Sequence, residues 1–386
     1  MYAIHLILLS YTMEAFVEDN KNSIRDFFSN LTEPRESNKR HHLIDIITIA
    51  LCAVICSADT WEEVEEFGHA KHDWFKTFLE LPHGIPSPDT FARVFACLDP
   101  GEFREAFLRW VEAIQEITRG QIVAIDGKTV RHSFDRNTSP IHMVSAWAYG
   151  NGMVLGQVKT NEKSNEITAI PELLKVLELE GCIVTIDAMG CQKTIANKII
   201  EKKADYVLGL KGNQGNLHAD VELFFQDCLS SGFTDISYDY SETVDGDHGR
   251  IETRRYWTTS DINWLADKEL WKNLHTIVMV QRERRLDARV SMETSYYISS
   301  LRSDAKEIAT AVRGHWSIEN SLHWVLDIAF REDESRIRKG HAPENFAILR
   351  HMALNLLKKE PSRKSIRRKR LRAGWDRDYL VRVLNS

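Results

Sequence analysis

The chain has 386 residues, of which 43% are hydrophobic and 27% charged, with a formal net charge of −6. This is the composition of an ordinary soluble protein with a sizeable core and room for two or three domains. The acidic balance does not by itself point to nucleic acid, and no stretch is long and apolar enough to span a membrane.

The opening residues 1–9 look like a short apolar h-region. They lack a basic start and a small-residue cleavage pattern, so a signal peptide is not expected, and Met13 is an alternative start. Residues 1–118 read as a helical N-terminal domain. An apolar helix begins at Leu43, and Asp59 or Thr60 caps the next, with Glu62 and Glu63 in its first turn where the helix dipole favours anions. Pro86 and Pro88 break the pattern before it restarts at Phe91. Such a module serves equally as a DNA-binding unit or as a scaffold.

From Gln121 the periodicity changes, and 119–212 read as the first part of a catalytic domain. Buried strands are expected over 122–126, 143–149, 153–158, 182–187 and 206–210, with helices over 167–179 and 194–203. Three strands, helix, strand, helix, strand is the order of a ribonuclease H-like α/β fold, in which the first and fourth strands are neighbours. Residues 213–300 read as a β-rich insertion and 301–360 as the helical last part of the catalytic domain. Residues 361–386 form a basic C-terminal tail, a phosphate-neutralising cluster or simply a solvated terminus. The six cysteines form no CxxC pair, which argues against a zinc ribbon and fits a cytoplasmic protein.

Three acids stand out. Asp126 and Asp187 each end an apolar strand, and Glu319 lies in a long helical pattern with His315, His323 and Asp327 at spacings of four. A desolvated carboxylate needs compensation, and an all-oxygen set of this kind suits Mg²⁺ or Mn²⁺. Two such cations about 4 Å apart can drive phosphodiester chemistry. Each aspartate alone could instead be a turn residue. A zinc site of His315, Glu319 and His323 does not fit the spacing of zinc-protease helices. The sequence Gly127-Lys128-Thr129 ends like a P-loop, but Ile122 occupies the first glycine position, so nucleotide binding is not expected. Asp327, Glu332 and Asp333 read as a solvated acidic face. Lys128, Lys211 and Asn213 read as DNA contacts or as surface and turn residues. His248, Arg250, Arg254 and Arg255 could follow a DNA backbone, and Trp257 could stack on an unpaired base or belong to the core.

These motifs resemble those of DDE transposases of the ISAs1 group, the insertion-sequence family that includes the H-repeat-associated proteins. The likeness runs through Ala124-Ile125-Asp126-Gly127-Lys128-Thr129, Asn161-Glu162-Lys163-Ser164-Asn165-Glu166-Ile167, Thr185-Ile186-Asp187-Ala188-Met189-Gly190, Lys211-Gly212-Asn213-Gln214-Gly215, His248-Gly249-Arg250 and His315-Trp316-Ser317-Ile318-Glu319-Asn320. It implies a ribonuclease H-like catalytic domain, Asp126, Asp187 and Glu319 as catalytic metal ligands, and DNA ends and target DNA as partners of a homo-oligomer. Related families place a tyrosine and an arginine before the glutamate and a lysine after it. Here those positions hold Val312, His315 and Leu326, leaving Arg313, His315 or His323 as substitutes at the phosphate. A ribonuclease H-like nuclease without strand transfer, or a decayed DNA-binding protein, are the alternative readings.

Overall fold

The computed structural model describes residues 24–37, 39–114, 119–134, 139–160, 166–247, 250–286 and 289–386. The opening segment, the 161–165 part of one motif, and His248 and Gly249 lie outside the described residues. Among those described, nine strands form one mixed sheet of order β3-β2-β1-β4-β5-β9-β8-β7-β6. They are β1 Ile122–Thr129, β2 His142–Ala148, β3 Met153–Thr160, β4 Ile183–Ile186, β5 Asp205–Leu210, β6 Asp239–Asp247, β7 Arg250–Thr259, β8 Thr276–Leu286 and β9 Arg289–Ser299.

The first three strands are antiparallel, whereas β4 and β5 run parallel to β1. The helix Glu166–Val176 links β3 to β4 and the helix Lys193–Glu201 links β4 to β5. This is why the short β4 is buried throughout: helical connections cover the faces of a parallel sheet. Strand β1 extends past Asp126 to Thr129, and the extension pairs only with β2. Asp126 therefore stands beyond the last β1–β4 pair rather than at the end of its strand.

Residues 213–300 do not stand apart from this sheet. Strand β9 pairs antiparallel with β5, and β8, β7 and β6 follow as a meander. A 17-residue helix, Gly215–Ser231, precedes them. The helix Ala305–His315 then returns across the sheet and packs Ile308, Ala309 and Val312 onto Ile122, Ile183 and Val207. Gly314 permits the approach, since a Cβ there would sit 3.0 Å from the Ile122 side chain.

The N-terminal helices pack around the helix Ala342–Lys359, which is buried on nearly all sides, as a core helix must be to carry apolar residues all round. Its two asparagines bond to backbone. Asn345 donates to the carbonyls of Phe95 and Leu98, and Asn355 exchanges two 2.9 Å bonds with Val154 of β3. Thr60 and Glu63 make the capping box that opens Trp61–Ala70.

The basic C-terminus is not a solvated tail. It forms the helices Ile366–Trp375 and Arg377–Leu384, and it buries Lys369 and Arg370. Arg370 donates to the carbonyls of Val54 and Ala329 and pairs with Asp59, so its charge is spent inside the protein. None of the helices described is long and apolar enough to cross a membrane.

Candidate active site

Asp126 and Asp187 are brought together by the β1–β4 ladder, whose last pair is Ile125 with Ile186. The residue after Asp126 is glycine for a steric reason. A Cβ on Gly127 would lie 2.3 Å from His142 Nε2 and 2.4 Å from Glu166 Oε1. That His142–Glu166 pair is buried, and the other imidazole nitrogen meets Thr129 Oγ1 at 2.9 Å. His142 was not singled out from the sequence; its place at the start of an apolar strand gives no sign of a partner 24 residues away.

Asp187 follows β4 and is exposed. Its Oδ1 accepts from the backbone N–H groups of Met189 and Gly190, which turns the chain. The turn at Gly212–Gln214 holds this loop from the side. Asn213 donates to the Ala188 carbonyl at 2.7 Å and Gln214 to the Cys191 carbonyl at 2.9 Å. Asn213 thus positions the Asp187 loop, while Lys211 is exposed at the same edge of the sheet, at the end of β5.

Glu319 arrives on the helix that follows Ala305–His315. The helix widens there into a π turn, Glu319–His323, with the N–H of Trp324 donating to the Glu319 carbonyl. π turns inside α-helices often mark functional sites. Ligand atoms of Asp126, Glu319 and His323 lie within 4.8 Å of one another. His323 Nδ1 is 3.7 Å from a carboxylate oxygen of each. Burial pushes the Asp126 carboxyl up to about 6 against the pull of His323, and the charges of Glu319 and Asp187 push the same way. Glu319 is held below its ordinary value, chiefly by His323. Two carboxylates and a histidine so placed are a donor set that fits a divalent cation, with the Asp187 loop at the neighbouring strand end.

Several expected site residues have other work. Lys128 is 12% exposed at its side chain and lies 2.8 Å from Asp327, 3.1 Å from Glu332 and 3.0 Å from Asp333. Burial alone would lower its pKa, but these anions outweigh that and raise it. It is therefore an internally paired cation, and the three acids are its cage rather than a solvated face. Glu332, itself buried, also faces Arg350. Arg313 bonds Asp245 of β6 at 2.5 Å, sharing it with Arg254. His315 Nδ1 meets Thr185 Oγ1 at 3.3 Å, burial lowers its pKa, and it is not a member of the trio around His323. His323 is buried beside the Asp126 and Glu319 carboxylates. Val312 and Leu326 are buried apolar residues.

Beside Glu319 runs a groove of about 630 Å³ between the helix and one face of β7–β9. Arg250, Arg254, Arg282 and Arg284 line one wall and Trp316 and Asn320 the other. Glu252 and Glu293 share this face. Arg255 and Trp257 are elsewhere. Arg255 bonds Glu242 and Glu283, and Trp257 packs against Phe233 and Tyr240. The tryptophan that the groove does offer is Trp316, 56% exposed.

A mixed α/β protein with an acid at the edge of its sheet close to a helical glutamate has the arrangement expected of a phosphodiester-cleaving enzyme. Family models narrow this. Residues 25–111 match the DDE_Tnp_1-associated family and residues 117–356 the transposase DDE domain. The chain belongs to the DDE transposase family and is a DNA transposase. It is 45% identical over 372 residues to a putative transposase, YncI, of Escherichia coli O157:H7, covering 94% of this chain and 95% of that one. It is 42% identical over 352 residues to the H repeat-associated putative transposase YhhI of E. coli K12, covering 89% and 92%. A piggyBac transposase synaptic complex with hairpin DNA has a TM-score of 0.44 at 12% identity, covering 97% of this chain and 77% of that one.

Proposed function

We propose that the chain cuts and joins the ends of its insertion sequence by two-metal transesterification, with Asp126, Asp187 and Glu319 holding Mg²⁺ or Mn²⁺. The observation that carries this is the approach of Asp126 and Glu319 to within 4.8 Å at the edge of β1, beside the Asp187 loop. Cations held there supply Lewis acidity that activates a water or a 3′-hydroxyl and draws charge off the scissile phosphate. Because one phosphodiester is exchanged for another, no nucleotide cofactor is needed.

The protein's own contribution is alignment. Lys211 at the sheet edge and the arginine face of β7 and β8 would neutralise phosphates on either side of the site, and Trp316 would stack on a base. The strand order β3-β2-β1-β4-β5, with β4 and β5 parallel to β1, supports a ribonuclease H-like catalytic domain. Strands β6–β9 then act as an arm that extends the catalytic sheet along the DNA. Joining two ends calls for a homo-oligomer, and six free cysteines suit a reducing cytoplasm.

The test is a labelled duplex carrying the sequences that flank the coding region, incubated with protein and Mg²⁺. Nicking at the end followed by joined product supports the proposal. Nicking without joining would make the protein a nuclease, and binding without metal-dependent cleavage would make it a decayed DNA-binding protein.

A further inference from the structure

We infer that His323 is a nitrogen ligand of the cation held by Asp126 and Glu319, which makes this a mixed nitrogen–oxygen site rather than a purely acidic one. The inference rests on the carboxylate site proposed above and concerns which donors complete it. Metal–nitrogen and metal–oxygen bonds of about 2.0–2.2 Å put neighbouring donors around one ion at roughly 3–4 Å from each other. His323 Nδ1 stands 3.7 Å from Asp126 Oδ2 and 3.7 Å from Glu319 Oε2. One ion can therefore sit between the three atoms with little movement.

The ring is not engaged elsewhere. His323 is 6% exposed, and its Nε2 is buried with no hydrogen-bond partner among the described residues. Only Nδ1 has a polar task, and it is aimed at the two carboxylates. The backbone is shaped to the same end. The π turn begins at Glu319 and ends at His323, so both residues are set by the one irregular turn of this helix. His315, the other histidine of the stripe, is turned to Thr185 and does not compete.

A nitrogen donor has a chemical consequence. Mg²⁺ takes oxygen ligands almost exclusively, whereas Mn²⁺ and later divalent ions accept imidazole. Such a site favours Mn²⁺ over Mg²⁺ more strongly than three carboxylates would.

The experiment uses the full chain, Mn²⁺ as probe, and pulsed electron paramagnetic resonance to detect nitrogen bound to the ion. Binding is titrated in parallel. Expected are nitrogen coupling in the parent protein, its loss in His323→Gln but not in His315→Gln, and Mn²⁺ affinity about tenfold weaker in His323→Gln. Mg²⁺ affinity should change less than Mn²⁺ affinity. Metal-free melting and circular dichroism identify any variant that fails to fold, and in that case His323→Asn takes its place. Mn²⁺ that binds without nitrogen coupling, or coupling that survives His323→Gln, would overturn the inference while leaving the carboxylate site standing. Mn²⁺ affinity unchanged by Asp126→Asn would overturn both.

Discussion

Ile125 of β1 pairs in parallel with Ile186 of β4, and the residue after each is an aspartate. Sixty residues of intervening chain are folded back so that the two aspartates follow neighbouring strand positions, and a helix brings Glu319 close to Asp126. Placing like charges together costs stability when nothing neutralises them, and that cost is measurable.

The first prediction concerns pH. Asp126 titrates at about 6 in the folded protein, mainly because it is buried, against an ordinary value of 3.8. A carboxyl with a raised folded pKa binds its proton more tightly when folded. Metal-free stability should therefore fall as pH rises from about 4 through 6, and the cost should be fully present above that. Asp126→Asn removes it and should stabilise the metal-free protein at pH 7.5 by up to about 3 kcal/mol, a rise of a few degrees in Tm. Calorimetry at pH 4 and 7.5 checks the sign, since the gain should shrink at the lower pH.

A second prediction concerns Gly127. Its Cβ position is occupied by the His142–Glu166 pair. Gly127→Ala should destabilise the protein by about 2 kcal/mol or more, as overpacking of a buried site does. Combining it with Glu166→Ala should recover part of the loss. A double-mutant cycle by chemical denaturation shows whether the two sites couple.

Lys128 offers a third. Lys128→Met removes the cation shared by Asp327, Glu332 and Asp333, leaving Asp333 to Arg131 and the 2%-exposed Glu332 to Arg350. The expected loss is about 3–5 kcal/mol, typical of breaking a buried pair from one side. The salt dependence of DNA binding should not change, which separates this role from a phosphate contact.

Arg284 is exposed in the groove beside the helix. Arg284→Ala should weaken DNA binding about equally for all sequences and lower the slope of log affinity against log salt by about 0.9. Fluorescence anisotropy at several salt concentrations reads this directly.

The parts legible from sequence are those whose signal is local. Strands β1 to β5 and the helices between them are announced by apolar runs and by Gly and Pro punctuation, and the two aspartates follow from where those runs end. Strand β6 was not legible. Its sequence Asp-Tyr-Ser-Glu-Thr-Val-Asp-Gly-Asp is polar, because it is the solvent-exposed edge of the sheet and owes its form to β7. The role of Lys128 was hidden for a different reason, since its partners lie about 200 residues later in the chain. Arg370 likewise reads as one charge in a basic run until the carbonyls of Val54 and Ala329 are found around it. Local pattern predicts elements; it does not predict which charges are neutralised from a distance.

The most direct measurement is cleavage of the end-flanking duplex by Asp187→Ala with Mg²⁺ or Mn²⁺. Asp187 is exposed and, among the described residues, its side chain bonds only its own turn, so the variant should fold and bind DNA as the parent does. The account predicts that cleavage falls by a factor of about a thousand or more while DNA affinity stays within about twofold, since loss of a metal-positioning group removes several kcal/mol of transition-state stabilisation. Cleavage at the parent rate by folded Asp187→Ala would contradict it.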